Sequence, residues 1–271
     1  MRKRSDSSDS GDLDAASRKN DPQFVTALAR GLDILTVFRP GDRELGNQEI
    51  AERTKLPKST VSRLLYTLTK LEFLTYNAEN GKYSIGFKAL QLGYTTLGIW
   101  GLTEFIHPMM KELADSTGVS IALAMPEGTM MHYIQVARPN NVIHIQMDRG
   151  ARLPMTVSAI GRAHIVSLPR KEKLQVLKQI RRQQKEDWPL VKAGLYKAHE
   201  YFYKHGFVTS IGEWVKDVNS VAVPIYAEKI GARLALNLGG PSFMLPPEKL
   251  MNEYGPKLKK LAKNVEYRLS E

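Results

Sequence analysis

The sequence predicts an α+β fold built in two parts, and two observations support this prediction. Three helical patterns and then a hairpin pattern fill residues 24–85. Most of the remaining chain predicts strands, then helices, then strands again, which is typical of helices packed on a central antiparallel sheet. At 271 residues, the chain is long enough for two domains with separate cores.

The composition excludes several classes of protein. The chain is 42% hydrophobic and 25% charged, as ordinary globular proteins are. It has no cysteine, which excludes disulfides, thiolate metal ligands and cysteine nucleophiles and suits a reducing compartment. No stretch is apolar enough to span a membrane, and the basic start lacks the apolar core of a secretory signal. We therefore expect a cytoplasmic protein without membrane contact, with a disordered Ser/Asp-rich tail over residues 1–22.

The net charge of +11 favours an anionic partner. Most of this charge comes from residues after position 90, so it does not indicate where such a partner binds. Charge alone is therefore weak evidence for nucleic-acid binding.

The first two helices are predicted by apolar spacing and by the signals at their ends. Phe24–Phe38 carries leucines at helical intervals and is followed by the helix-ending segment Arg39-Pro40-Gly41. Asn47–Thr54 is a shorter helix, with Asn47 as its N-cap and Glu49 in its first turn. A brief turn then leads into a third helix.

The third helix lies within Leu56–Leu74 and has two contrasting faces. Val61 and four leucines recur at helical spacing and form one apolar stripe. The other face carries hydroxyls, cations and an aromatic ring but no acid. Two short helices joined by a tight turn, the second with such a face, match the helix-turn-helix motif. The side chains expected to reach DNA phosphates and base edges are Asn47, Lys58, Ser59, Thr60, Ser62, Arg63 and Tyr66.

A hairpin pattern comes directly after the third helix. Phe73–Ile85 is predicted to form two short strands around Asn80-Gly81, a pair suited to positive φ in a tight turn. A hairpin at this position is the wing of a winged helix, and Lys82 near its tip is a candidate phosphate contact. Two alternatives remain: a third helix whose polar face is only solvated, and a winged helix that contacts only protein.

The rest of the chain predicts one connecting helix and a second domain. Gly86–Trp100 is too apolar for a free linker, because Leu90, Tyr94, Leu97 and Trp100 follow helical spacing; it either joins the domains or packs on its own domain. Turns are expected at Pro126-Glu127-Gly128 and at Gly239-Gly240-Pro241. The predicted elements, in order, are helix Thr103–Gly118; strands Val119–Met125, Met130–Ala137 and Val142–Asp148; helices Thr156–Ser167, Lys171–Lys185 and Leu190–His205; strands Phe207–Ile211, Ser220–Tyr226 and Arg233–Leu238; and helix Pro247–Leu269.

The segment Arg152–Ala163 is a candidate ligand site. A loop that enters a helix leaves N–H groups unpaired, and the helix dipole adds partial positive charge, which suits a carboxylate. The small residues Ser158, Ala159 and Gly161 allow a ligand close to the backbone, although they equally allow the helix to pack tightly. Arg152 and Arg162 either assist an anion or face solvent.

The order of these elements and several motifs resemble the IclR family of bacterial transcription regulators. The motifs are ARGLDIL, LPKSTVSRLLYTL, NGKYSIGFKALQLG, RGARLPMTVSAIGRA, VNSVAVPI and LALNLGGPS, and the resemblance runs from about Phe24 to the C-terminus. It implies a winged helix-turn-helix DNA-binding domain over residues 23–85. It also implies a linker helix over 86–101 that pairs two DNA-binding domains in a dimer, and a GAF-like effector-binding domain over 102–271.

The resemblance further implies an effector pocket in the second domain. In well-known members, the position of Ser210 can be acidic and that of Ser220 can be a cysteine. The positions of Asn237 and Gly239 can both be serines. The pocket is therefore expected to exist, but its ligand need not be the two- or three-carbon acid that some members bind. The candidate effector-binding residues are Ile145, Met147, Ser158, Ala159, Ile160, Gly161, Ser210, Ser220 and Asn237.

Nothing in the sequence supports catalysis. The six histidines show no metal-binding spacing, and no P-loop, nucleophile elbow or dinucleotide fingerprint is present. Glu213 and Asp217, four residues apart, are expected to be exposed carboxylates. We expect a ligand-responsive regulator without a cofactor, which binds a palindromic DNA operator as a dimer or tetramer and senses a small carboxylic or aromatic acid. The alternatives are a small-acid-processing enzyme and a protein-interaction module built on the same two domains.

Overall fold

The computed structural model describes residues 21–39, 41–99, 101–140, 149–228 and 231–270. The chain divides into two compact units, Met1–Thr96 and Leu97–Glu271. Most of the predicted tail and all of the predicted strand Val142–Asp148 lie outside the described residues.

The first unit combines helices with a small three-stranded antiparallel sheet. The sheet order is β1-β3-β2, and the sequence did not predict the two-residue strand β1. The core of the unit is formed by the buried residues Ile34, Leu45, Ile50, Ala51, Val61, Leu65, Leu68 and Leu74. In chain order, the elements are α1 (Thr26–Thr36), β1 (Leu45–Gly46), α2 (Asn47–Thr54), α3 (Lys58–Lys70), β2 (Leu74–Asn77), β3 (Lys82–Ile85) and α4 (Phe87–Ile99).

Two helices of this unit expose apolar side chains. Helix α1 turns Gly31 and Ile34 toward the core, while Leu28 and Leu32 are 62% and 53% exposed. On α4, the side chains of Leu90 and Tyr94 are also exposed. These side chains leave apolar surface exposed on both helices.

The second unit is an antiparallel sheet with helices on both faces. Its strand order in the described part of the chain is β6-β5-β4-β9-β8-β7. Its elements are a π-helical turn (Leu102–Ile106), α5 (His107–Thr117), β4 (Ser120–Glu127), β5 (Met130–Ala137), β6 (Arg152–Pro154), α6 (Ala159–Ser167), α7 (Arg170–Gln183), α8 (Trp188–His205), β7 (Val208–Ile211), β8 (Val218–Ala227), β9 (Ala232–Pro241), α9 (Pro247–Lys249), a second π-helical turn (Leu250–Tyr254) and α10 (Gly255–Ser270).

Alternation along the strands divides the apolar residues between the two faces of the sheet. On β4, Ile121 and Leu123 join the cluster that includes α5 and α10, whereas Ala122 and Ala124 join the cluster that includes α6, α7 and α8. On β4, therefore, the side toward α6 carries small side chains and the opposite side carries large ones. Because alanines line that face, α6 can pack close to the sheet.

The first predicted turn is shifted along the chain and the second was wrong, because strands extend into both segments. Pro126 and Glu127 belong to β4 and pair with β5, so the connection is shortened to Gly128-Thr129. Gly239–Pro241 belongs to β9 and pairs with β8. A Cβ on Gly240 would lie 3.2 Å from Val119 Cγ1, so this glycine allows close packing within a strand.

Candidate functional site

Helices α2 and α3 are held together by side-chain hydrogen bonds next to a tight turn. The Asn47 amide donates to the Ser62 hydroxyl at 2.8 Å, and Lys58 Nζ donates to the Gln48 amide oxygen at 3.3 Å. Three of the predicted DNA-binding residues therefore also fix the angle between the two helices. This arrangement keeps α3 in a defined orientation on the unit.

The outer face of α3 is rich in hydrogen-bond donors and positive charge. Val61, Leu65 and Leu68 are buried, and no residue of the helix is acidic. Thr60 is half-buried, and Tyr66 is 65% exposed with Lys70 Nζ 5.6 Å from its ring centre. The exposed residues of the helix are Lys58, Ser59, Ser62, Arg63, Tyr66, Thr67 and Lys70. Such a surface matches what phosphates and base edges require.

The hairpin after α3 is fixed by one carboxylate. Gly81 takes φ +69° in its turn, as predicted for this position. The side chains of Asn77 and Asn80 donate to the two oxygens of Glu44, at 3.1 Å and 2.6 Å. These hydrogen bonds, together with the charge of Lys82, lower the pKa of the Glu44 carboxyl. The hairpin tip is therefore held in one shape, with Lys82 exposed beside it.

The second unit contains a cavity of about 40 Å³ on the α6 side of the sheet. Its polar lining residues carry hydroxyls, one amide and one indole N–H, and none of its described lining residues carries a formal charge. The lining residues are Ser120, Ala122, Tyr133, Val136, Leu153, Ser158, Trp214, Val218, Ser220, Asn237 and Gly239.

Strand pairing explains why these residues meet. Gly239 on β9 pairs with Ser120 on one side and with Ser220 on the other. Two residues earlier, Asn237 pairs with Ala122 in the same way. Residues two apart along a strand share a face, so two adjacent rows across three strands form the floor of the cavity.

The polar groups of the floor differ in how far they are satisfied. The Asn237 amide donates to the Tyr133 hydroxyl at 3.0 Å, and burial raises the pKa of Tyr133. The Ser120 hydroxyl is buried without a hydrogen-bond partner among the described residues. A buried hydroxyl without a partner is costly, so a ligand that bonded to it would be favoured.

The start of α6 lies at the edge of the cavity. Ser158 is its N-cap: its hydroxyl accepts from the Gly161 N–H at 3.2 Å and donates to the Pro154 carbonyl at 2.6 Å. A Cβ on Gly161 would lie 2.2 Å from Met155 Cα. Tight packing, one of the two explanations offered for the small residues, therefore accounts for Gly161. Ala159 and Ile160 are both fully buried.

Arg162 neither faces solvent nor remains available to an anion. It is 5% exposed; its Nη atoms donate to both oxygens of Glu213, at 2.7 Å and 2.6 Å, and its Nε donates to the Thr156 carbonyl at 2.8 Å. Glu213 is exposed, as expected, with 43% of its side chain accessible, but it also pairs with this buried guanidinium. Arg152, by contrast, is partly exposed and donates to Glu127 at 3.1 Å.

The structure brings together only some of the expected effector-binding residues. Ser158, Ser220 and Asn237 line the cavity. Ser210 does not; its hydroxyl donates to the Val157 carbonyl at 2.8 Å. Ile145 and Met147 lie outside the described residues.

Sequence reasoning missed several cavity residues, notably Ser120, Tyr133 and Trp214. Period-two alternation on β4 places Ser120 on the same face as Ala122, so the spacing carried part of the signal. The hydrogen bond between Tyr133 and Asn237 depends on the strand order β5-β4-β9, which no local pattern contains.

Two further properties bear on function. Among the described residues, no group of three or more His, Asp or Glu side chains could hold a metal ion. No described helix is both long and apolar enough to cross a membrane.

Comparison with known proteins decides the family. The IclR helix-turn-helix domain matches residues 27–78, and the domain described as bacterial transcriptional regulator IclR C-terminal matches residues 95–267. The chain belongs to the IclR family. Its α+β fold, with an N-terminal helix-turn-helix and a C-terminal sheet domain, is thereby confirmed.

Relatives of this IclR-family chain cover nearly all of its length. The HTH-type transcriptional regulator TsaQ1/TsaQ2 of Comamonas testosteroni is 30% identical over 90% of this chain and 88% of its own. An IclR family transcriptional regulator from Brucella abortus is 40% identical, covers 94% of this chain and 96% of its own, and gives a TM-score of 0.81. An IclR homologue from Microbacterium hydrocarbonoxydans, complexed with 4-hydroxybenzoate, shares the fold at 18% identity with a TM-score of 0.68, covering 90% of this chain and 99% of its own.

These relatives give the general activity of the chain. It is a DNA-binding transcription regulator of the IclR family, and its curated relatives are regulators, not enzymes.

Proposed function

We propose that α3 reads base edges in the major groove of an operator while the hairpin β2–β3 contacts the adjacent backbone. The observation that supports this role is the exposed, acid-free face of α3, which presents hydroxyls, a guanidinium and an aromatic ring together. Arg63 is the candidate for base reading, because its guanidinium can donate two hydrogen bonds to the O6 and N7 acceptors of guanine. The candidate contacts from the helix-turn-helix are Asn47, Lys58, Ser59, Thr60, Ser62, Arg63 and Tyr66, and Lys82 contributes from the hairpin.

The operator is palindromic because the protein binds it as a symmetric dimer through its linker helix. The exposed side chains of Leu90 and Tyr94 support this pairing, since α4 otherwise leaves apolar surface in water. A two-fold dimer places two recognition helices in successive major grooves of one face of the duplex. Two such dimers would form the tetramer.

The cavity beneath α6 binds a small organic acid, carboxylic or aromatic. Neutral donors suit a carboxylate that is held by hydrogen bonds, and the unpaired Ser120 hydroxyl supports a polar ligand group there. Trp214 and Tyr133 offer ring surfaces to an aromatic ligand. The Microbacterium relative, whose structure contains 4-hydroxybenzoate, supports a phenolic acid as the first ligand to test.

The acid regulates operator occupancy by favouring one arrangement of the paired DNA-binding domains. For this it must bind the two arrangements with different affinity, because a ligand that binds both equally shifts nothing.

Binding to DNA fragments upstream of the gene and its neighbours, measured across a salt series, tests the DNA-reading proposal. We expect selective binding to one fragment with a steep salt dependence. Arg63→Ala should reduce the preference for that fragment over a scrambled duplex. An equal loss on both duplexes would make Arg63 a phosphate contact, and no salt-dependent binding at all would favour a winged helix that contacts protein.

Adding short carboxylic acids, benzoate or 4-hydroxybenzoate to the same assay tests the cavity. We expect one of them to change the operator affinity of the full chain. Ser220→Leu, which fills the cavity, should bind DNA normally and lose this response. A response that survives Ser220→Leu would place the effector elsewhere.

A further inference from the structure

A groove lies between α1 and α3 in the first unit, apart from the tip of the hairpin. Its volume is about 570 Å³, and most of its lining side chains are exposed. The lining residues are Ala27 and Arg30 from α1, with Thr60, Ser62, Arg63, Leu64, Tyr66 and Thr67 from α3.

The groove is positively charged and rich in donors. Arg30 and Arg63 both line it and no carboxylate does; of its three serine and threonine hydroxyls, those of Ser62 and Thr67 already donate to carbonyls of α3. Neither guanidinium forms an ion pair or hydrogen bond with another described residue. Two like charges at one surface repel each other, so an anion between them would lower the energy.

The occupant that fits this groove is the backbone of duplex DNA. The groove shares Ser62, Arg63 and Tyr66 with the outward face of α3, so a duplex read by that face continues toward Arg30. A guanidinium donates two parallel hydrogen bonds to a phosphate, and Arg30 has both of its terminal nitrogens free among the described residues.

We infer that Arg30 is a phosphate contact, and that the groove between α1 and α3 extends the DNA-binding surface beyond the helix-turn-helix and the hairpin. This inference rests on the proposed reading of DNA by α3. Its chemistry is independent of base sequence, because phosphates are the same at every step of the duplex. Arg30 therefore contributes affinity and orientation, while the choice of operator comes from α3.

The test compares Arg30→Ala with Arg39→Ala in the full-length protein. Both changes remove one exposed arginine of the first unit. Of these two arginines, Arg30 lines the groove and Arg39 does not. Affinity for the selected operator and for a short mixed-sequence duplex is measured across a salt series. We expect Arg30→Ala to weaken binding to both duplexes about tenfold and to reduce the salt slope by about one unit per subunit. Arg39→Ala should change the affinity by less than about twofold and leave the salt slope unchanged.

Two further variants sharpen the result. Arg30→Lys keeps the charge and should restore most of the salt slope while recovering only part of the affinity. In the double variant Arg30→Ala/Arg63→Ala, losses that add would support two separate contacts, of Arg30 with a phosphate and of Arg63 with a base. Thermal unfolding of each variant checks that the exposed substitutions leave the fold unchanged.

The outcomes separate this inference from the proposal on which it rests. If wild type binds with a steep salt slope and Arg30→Ala behaves like Arg39→Ala, the groove is not a DNA contact, although α3 still reads DNA. If wild type itself shows no salt-dependent binding to any duplex, both ideas fail together.

Discussion

The two candidate sites differ in how their polar groups are held. On α3, Arg63 and Tyr66 project into solvent, and their chemistry is available without any change in packing. In the second unit, Asn237 of the cavity and Arg162 of α6 are buried and already bonded to Tyr133 and Glu213. A surface site of the first kind can change its chemistry at little cost in stability, whereas a buried site cannot.

This difference leads to opposite expectations for substitutions in the two units. Changes near the cavity should lower the free energy of unfolding, because they either create a steric clash or leave a buried polar group without its hydrogen-bond partner. Changes on the outer face of α3 should alter DNA binding and leave stability nearly unchanged. Single substitutions in each unit test that contrast.

Gly161→Ala should have a large effect on stability. Its new Cβ would lie 2.2 Å from Met155 Cα, and backbone atoms cannot move aside as a flexible side chain can. We expect a loss of about 3 kcal/mol in the free energy of unfolding, measured by urea denaturation. In Gly93→Ala on α4, where no atom lies within 4 Å, stability should stay the same or rise slightly. A Gly161→Ala protein that is fully stable but no longer responds to an acid would instead indicate that the glycine makes room for ligand.

His164 should make the stability of the second unit depend on pH. Burial, and then the charge of Arg233, lower its pKa from 6.5 to about 4. The unfolded chain therefore binds a proton more readily than the folded one, so this contribution is complete above pH 6.5 and is lost as the pH falls toward 4. The loss should total about 3 kcal/mol, at about 1.4 kcal/mol per pH unit.

The measurement for His164 is the difference in urea unfolding between wild type and His164→Gln across that pH range. His199→Gln, at an exposed position, serves as the control and should keep the wild-type profile. Proton NMR of the His164 ring in the wild-type protein gives its pKa directly. This measurement does not depend on how well the variant folds. A ring that titrates near 6.5 would contradict the prediction.

Glu213→Gln should destabilise the second unit by about 2 kcal/mol. The change leaves the Arg162 charge buried with only the Thr156 carbonyl as a strong partner, and removing one member of a buried pair is costly. Because 43% of the Glu213 side chain is exposed, water can partly replace the lost interaction with Arg162. The expected loss is therefore smaller than for a fully buried pair. Asp217→Asn in the same loop, measured in the same urea series, should change stability by less than about 0.5 kcal/mol. Equal effects of the two substitutions would mean that the ion pair is not structural.

The same contrast explains which features the sequence could predict. Helix α2 and strand β5 were predicted with the bounds that the structure has, Asn47–Thr54 and Met130–Ala137, because their signals lie within a few residues. The outer face of α3 is likewise a local pattern. By contrast, the pair Arg162–Glu213 joins residues 51 positions apart, and Asn237–Tyr133 joins residues 104 apart. Such contacts depend on strand order and register, which alternation along one strand does not contain.

Glycines also show that a local sequence pattern does not predict every structural role. Gly81 was correctly assigned to a turn because it comes after Asn80 between two strand patterns. Gly239 and Gly240 were assigned to a turn because they follow a strand pattern, yet they lie within β9, where neighbouring side chains leave little room for a Cβ. A glycine that is needed for packing and one that is needed for positive φ look alike in a sequence.

Tyr66→Ala should have the smallest effect on stability and a clear effect on function. The ring is 65% exposed, so its removal leaves no cavity, and the free energy of unfolding should change by less than about 0.5 kcal/mol. Its neighbour Leu65 is fully buried, and Leu65→Ala should lose about 2–5 kcal/mol in the same urea titration. Operator affinity, measured under conditions in which both variants are folded, should fall for Tyr66→Ala because that side chain lies on the face proposed to meet DNA. If Tyr66→Ala were as destabilising as Leu65→Ala, or left operator affinity unchanged, the outer face of α3 would not be the separate functional surface that its exposure indicates.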